Sequence, residues 1–124
     1  MNGIIHRIAA KEHFAIAERL DLEHSLEKDI NKKIALRTVV AQNYFYASVN
    51  AIECIFAEKL EQHSFNHENR MRKMVENISL FSQEVITLYE LVDRDLRNRV
   101  AYKGENGQKY ETVKKLAQLL VKQL

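Results

Sequence analysis

No proline occurs in this sequence of 124 residues, and its glycines are confined to Gly3, Gly104 and Gly107. Between Gly3 and Gly104 nothing forces a turn through backbone chemistry, which favours long helices over many short strands. The lone cysteine, Cys54, excludes an internal disulfide and suits a reducing cytosol. It stands among apolar residues of a helical pattern, so a buried structural thiol is expected rather than a nucleophile. A large excess of either charge is missing too: nineteen basic side chains against seventeen acidic ones leave a formal +2. Bulk electrostatics therefore make no case for nucleic acid, and any basic site has to be local. No apolar run approaches membrane-spanning length, and the segment Met1 to Arg7 lacks the apolar stretch of a signal peptide. No membrane partner and a cytoplasmic location are the expectation.

What is there is a globular balance, 46% apolar and 29% charged, in a length that suits one domain. A first helix is predicted over about Ile5 to Lys28, with Ile8, Ala15, Leu22 and Leu26 as its apolar stripe and Ile16 and Leu20 alongside. The polar run Glu27 to Lys33 is expected to break it, although Leu26, Ile30 and Ile34 keep a helical step across the run. A second helix, about Lys32 to Gln62, carries Phe45, Val49, Ile52, Phe56 and Leu60 at steps of four, three, four and four. That is a buried stripe, which Tyr44, Ala47, Ala51 and Ile55 widen. At this length the helix measures roughly 46 Å, long against a radius of gyration of about 14 Å, so it must run the full height of a bundle or protrude. Beside the stripe lie Tyr46, Asn50, Glu53 and Ala57, either a flank meeting solvent or the polar wall of a cleft.

His63 to Glu68 reads as an interior break, with Ser64 or Asn66 capping the next helix and Glu68 in its first turn. His63 and His67 have a metal-site spacing only on one continuous helix, which the capping residues argue against; no metal is expected. A third helix, about Asn66 to Asn77, is predicted to bury Met71, Met74, Val75 and Ile78. Arg70, Arg72 and Lys73 are interleaved, either as a solvated face or, for Arg70 and Lys73, as phosphate contacts. A connector at Ser79 to Ser82 should plug Leu80 and Phe81 into the core. A fourth helix, about Ser82 to Tyr102, has Val85, Tyr89, Val92, Leu96 and Val100 as its stripe and ends at the turn Gly104 to Gly107. A fifth, about Lys109 to Gln123, buries Val113, Leu116, Ala117, Leu120 and Leu124. The fold class is all-α: an antiparallel bundle of four to five helices, with residues 1–35 forming the first helix and joint and 36–122 the core.

The fourth helix ends in Asp93-Arg94-Asp95-Leu96-Arg97-Asn98-Arg99, three arginines in six positions. Glu90–Arg94, Asp93–Arg97 and Asp95–Arg99 are i,i+4 acid-to-arginine pairs, each able to stabilise an exposed helix by about 0.2–0.5 kcal/mol. Basic residues at a helix C-terminus also suit its dipole. On spacing alone these are surface pairs.

The wording Leu-Arg-Asn-Arg-Val-Ala-Tyr-Lys-Gly from Leu96, with the aromatic and alanine-rich stretch from Ala41 to Glu53, resembles the HEPN superfamily over roughly residues 36 to 122. That resemblance implies a helical bundle pairing around a two-fold axis, with two copies of an arginine–histidine motif in one cleft. Many members are metal-independent endoribonucleases of toxin–antitoxin, CRISPR or antiphage systems; others bind RNA or partner proteins without catalysis. Arg97 matches the motif arginine and Asn98 its frequent neighbour. After four to six intervening residues from Arg97 stand Tyr102, Lys103 and Gly104, so no histidine fills the motif slot. Tyr102, with a phenol whose reference pKa is near 10, is a poor general base at neutral pH. The expected site is therefore Arg97 and Asn98 with Tyr102 as the catalytic remnant. Arg94, Arg97, Arg99 and Lys103 are expected to hold RNA or another anion, with Arg70 and Lys73 in support. No cofactor is expected. The expected partners are a second copy, RNA, and a protein such as a cognate antitoxin or nucleotidyltransferase. Two other functions stay open: an active ribonuclease using Arg97 with an unconventional base, and a protein-interaction bundle without nucleic acid.

Overall fold

A computed structural model describes residues 2–97 and 107–124, leaving out the side chains of 95–97 and 107–109. Its described residues are helical, without strands: α1 (Ile4–Leu26), α2 (Ile30–Leu60), α3 (His67–Glu76), α4 (Gln83–Arg97) and α5 (Gly107–Lys122), with one 3₁₀ turn at Ile78–Leu80. The joint between α1 and α2 is three residues long. Glu27 turns extended, and the Asp29 carboxylate caps α2 by accepting from Asn31 N–H. Asn66 caps α3, accepting from Asn69 N–H at 2.8 Å, while the Asn69 side chain accepts from Phe65 N–H in return. Ser82 Oγ accepts from Val85 N–H at the start of α4.

α1 and α2 form an antiparallel hairpin whose register is set by paired side chains. Gly3 lies against Cys54, His6 Nδ1 sits 2.9 Å from Asn50 Oδ1, and His13 Nδ1 sits 3.1 Å from Asn43 Oδ1. A Cβ at Gly3 would come within 3.0 Å of the Cys54 carbonyl and 3.3 Å of its sulfur, so glycine is what lets the two backbones meet there. The seam continues through Ala10 and Ala17, both fully buried. This reverses the sequence expectation for α1. Ile8, Ala15, Leu22 and Leu26 are exposed, and the face with the smaller side chains is the one pressed onto α2. Small residues bring helix axes close enough for the histidine and asparagine groups to pair, which bulky ones would hold apart.

The core sits between α2, α4 and α5, with Tyr44, Ile52, Phe56, Val85, Tyr89, Leu116 and Leu120 fully enclosed. α5 packs on both α2 and α4, and α3 packs on α4. Phe81 plugs into this core as expected, meeting Phe56 edge-to-face at 5.7 Å and 82°. α3 departs from expectation: Met74 is buried, but Val75 and Ile78 are exposed. Its ten residues lie mainly against α4 and the 3₁₀ turn, so one narrow face suffices. Arg7 clasps the far end, donating to Glu58 at 2.7 Å and to the Leu124 carbonyl. Among the described residues no helix is long and apolar enough to cross a membrane.

Candidate functional site

Glu53 lies inside an unbroken run of buried residues on α2. Its carboxylate accepts from Ser64 N–H at 3.1 Å, from Ser64 Oγ–H, and from Arg70 Nε–H at 3.2 Å. Arg70, reaching in from α3, also donates to the Tyr89 hydroxyl on α4 at 3.2 Å. His63 Nδ1 stands 3.6 Å from Glu53, and His67 Nδ1 stands 3.4 Å from Asp93, the buried acid one turn past Tyr89. The result is one polar cluster joining α2, α3 and α4 beneath two partly exposed imidazoles. Burial opposes the Arg70 charge, yet Tyr89 and Glu53 outweigh it and hold its pKa above the ordinary value. Burial pushes the Tyr89 phenol up, with Arg70 pulling the other way. A carboxylate behind a surface imidazole fixes its orientation and leaves the other ring nitrogen for proton transfer, which is what this arrangement offers chemically.

The residues singled out in the sequence divide among several surroundings. Glu53 and Arg70 meet in the cluster. Tyr46 and Asn50, read as solvent flank or cleft wall, lie at the edge of α1: Tyr46 is exposed but meets His13 with ring centres 5.4 Å apart, and half-buried Asn50 pairs with His6. Lys73 donates to Gln62. Arg94 is exposed on α4 and, among the described residues, has no ion pair, so its expected pairing with Glu90 is not formed. Arg97 closes the described part of α4, its side chain outside the description; Asn98, Arg99, Tyr102 and Lys103 lie outside the described residues. Sequence reading missed His6, Tyr89 and Asp93 as polar participants. A signal existed: Tyr89 and Asp93 are four apart on the helix face that holds Val85 and Val92.

At the opposite end of α1 an open cleft of about 560 Å³ is lined by Asp21, His24, Lys33, Tyr110 and Lys114 among others. Lys114 reaches Asp21 at 2.7 Å, and among the described residues the buried Tyr110 hydroxyl has no hydrogen-bond partner. Burial, then the neighbouring Arg37 and Lys33 charges, hold the His24 pKa below its usual value. The unfolded chain therefore binds a proton here at a higher pH than the folded one, and stability falls as pH drops through about 6.5. Thermal melts should show wild type losing more between about pH 7.5 and about pH 5 than His24→Gln does; equal losses would assign the acid sensitivity elsewhere.

Among the described residues, no group of three or more His, Cys, Asp or Glu side chains could hold a metal ion. No family model, curated protein or solved structure matches the chain.

Proposed function

We propose that this chain is a HEPN-like RNA- or nucleotide-binding module with little or no catalytic activity, working as a homodimer in a prokaryotic toxin–antitoxin, CRISPR or antiphage system. The observation that carries the reading is the state of α4. Arg94 is exposed and lacks an ion pair among the described residues, one turn before Arg97 on the helix that bears the resemblance. An exposed guanidinium without a carboxylate is available to a phosphate, which it can hold through two parallel N–H donors. Arg97 and Asn98 supply the main anion contact in this reading, with Arg99 and Lys103 extending it along the strand. A cognate antitoxin or a nucleotidyltransferase-type protein is the partner class it implies. A cytoplasmic setting accompanies it.

One observation favours the catalytic alternative: His67, backed by Asp93, is a surface imidazole that can take the proton-shuttle role that Tyr102 cannot. Anisotropy with end-labelled RNA in EDTA decides between the readings. Wild type should bind without cleaving, and Arg94→Ala and Arg97→Ala should each weaken binding by about tenfold or more, the worth of a charge-assisted hydrogen bond. Affinity should fall steeply with added salt. Cleavage lost in both Arg97→Ala and His67→Ala would establish the nuclease instead. Absence of binding at low salt would leave a protein-interaction bundle.

A further inference from the structure

The outer face of α1 is apolar at both ends and, among the described residues, is left open. Ile5 is 77% exposed, Ile8 56%, Leu22 63% and Leu26 72%, with Ile4 beside the first and Ile30, at the start of α2, beyond the last. Side chains of this size left open amount to several hundred Å² of apolar surface, more than isolated exposed residues explain. It is also the scale of the roughly 800 Å² that each partner buries in a standard interface.

The order of residues along this face says what covers it. The stripe runs Ile5, Ile8, Glu12, Ala15, Arg19, Leu22, Leu26, alternating steps of three and four over about 30 Å of helix. It reads nearly the same from either end about Ala15. Ile8 and Leu22 stand seven residues to either side, Glu12 and Arg19 three and four, Ile5 and Leu26 ten and eleven. The flanking row repeats the device with Lys11 and Glu18. Within each row, opposite charges thus occupy near-mirror positions; the like-charged residues at equal distance from Ala15, Glu12 with Glu18 and Lys11 with Arg19, fall on different rows. Among the described residues none of Lys11, Glu12, Glu18 and Arg19 has an ion pair.

We infer that α1 pairs antiparallel with α1 of a second copy of this chain about a two-fold axis at Ala15. Glu12 then faces Arg19 of the other copy, Lys11 faces Glu18, and Ile5 and Ile8 meet Leu26 and Leu22. The two-fold doubles every one of these contacts, as an isologous interface requires. The small Ala15 at the axis lets the helices approach. A parallel pairing would set Glu12 on Glu12 and Arg19 on Arg19, so the charges select the antiparallel one. This axis replaces the one the family resemblance implies: the homodimer proposed above forms through α1, with no second two-fold through the motif helix. α1 packs on α2 and α5, so its outer face lies away from the motif helix α4. The inference does not depend on the RNA-binding reading.

Sedimentation velocity over a concentration series tests it. Wild type should run at twice the 14.5 kDa chain mass. Ile8→Asp, at a position exposed in the single chain, should run as monomer with unchanged helical circular dichroism. Arg19→Glu alone and Glu12→Arg alone should each weaken dimerisation by at least about tenfold, because each sets like charges opposite one another. Mixing these two variants should restore the dimer, since every mirrored pair is then complementary. Ala15→Cys should crosslink to itself on mild oxidation. A wild-type monomer at every concentration, a dimer indifferent to Ile8→Asp, or no recovery on mixing would each overturn the proposal. RNA anisotropy on the monomeric variants separates this outcome from failure of the binding reading.

Discussion

Glu53→Ala is expected to lower stability by about 3–5 kcal/mol, the usual result of removing one partner of a buried ion pair. The loss has little to do with the strength of the missing contact. It comes from Arg70, whose side chain stays largely enclosed and whose charge is then left, among the described residues, with the Tyr89 hydroxyl and the His67 ring nitrogen but no paired carboxylate. Two donors on Ser64 lose their acceptor in the same step. Against a total stability of about 5–15 kcal/mol for a domain, such a loss leaves the chain marginal. Removing both charges together is a different matter. The pair Glu53→Leu with Arg70→Met leaves no orphaned ion, and should recover a large part of the loss. Urea denaturation of wild type and the two variants makes the comparison. A single-variant cost below about 1 kcal/mol would show that water reaches Arg70 and solvates it.

Phe56→Ala should cost about 3–5 kcal/mol as well, by a wholly apolar route. Phe56 is fully buried and meets Phe81, which caps the core from the connector between α3 and α4. Truncating Phe56 leaves a cavity under that plug and removes an edge-to-face pair worth about 0.5–1.5 kcal/mol beyond its area. Phe81→Ala, and the double variant with Phe56→Ala, complete a cycle in which the two losses should add to less than their sum. Strict additivity would mean that the rings pack independently and that the connector is held by other contacts.

Helix number and approximate limits were legible because one period runs through nearly every segment and no proline interrupts it. Much of the α2 stripe was readable, with Phe45, Ile52 and Phe56 buried as expected and Val49 and Leu60 half-buried, whereas burial on every side from Ala51 to Ala57 was not. α1 was not, because it has two candidate faces. Ile8, Leu22 and Leu26 make the more hydrophobic one, whereas Gly3, Ala10 and Ala17 make the one that fits against a neighbour. Periodicity ranks faces by hydrophobicity and is blind to how close two backbones must come. Glu53 was hidden for another reason: a carboxylate beside a core stripe looks like a helix flank until Arg70, seventeen residues on, is folded against it. The positions that bear the Arg97 motif, Asn98 to Lys103, lie outside the described residues, so the sequence remains their sole witness.

The contact between Gly3 and Cys54 gives the chain an internal gauge. The thiol is fully buried beneath the first turn of α1, and burial pushes its pKa up. A disulfide reagent can reach it only when that end of α1 lifts from α2. With closing faster than reaction, the labelling rate of this one sulfur measures the free energy of that opening directly. No label need be engineered in, and any partner that rests on α1 should announce itself by slowing the reaction.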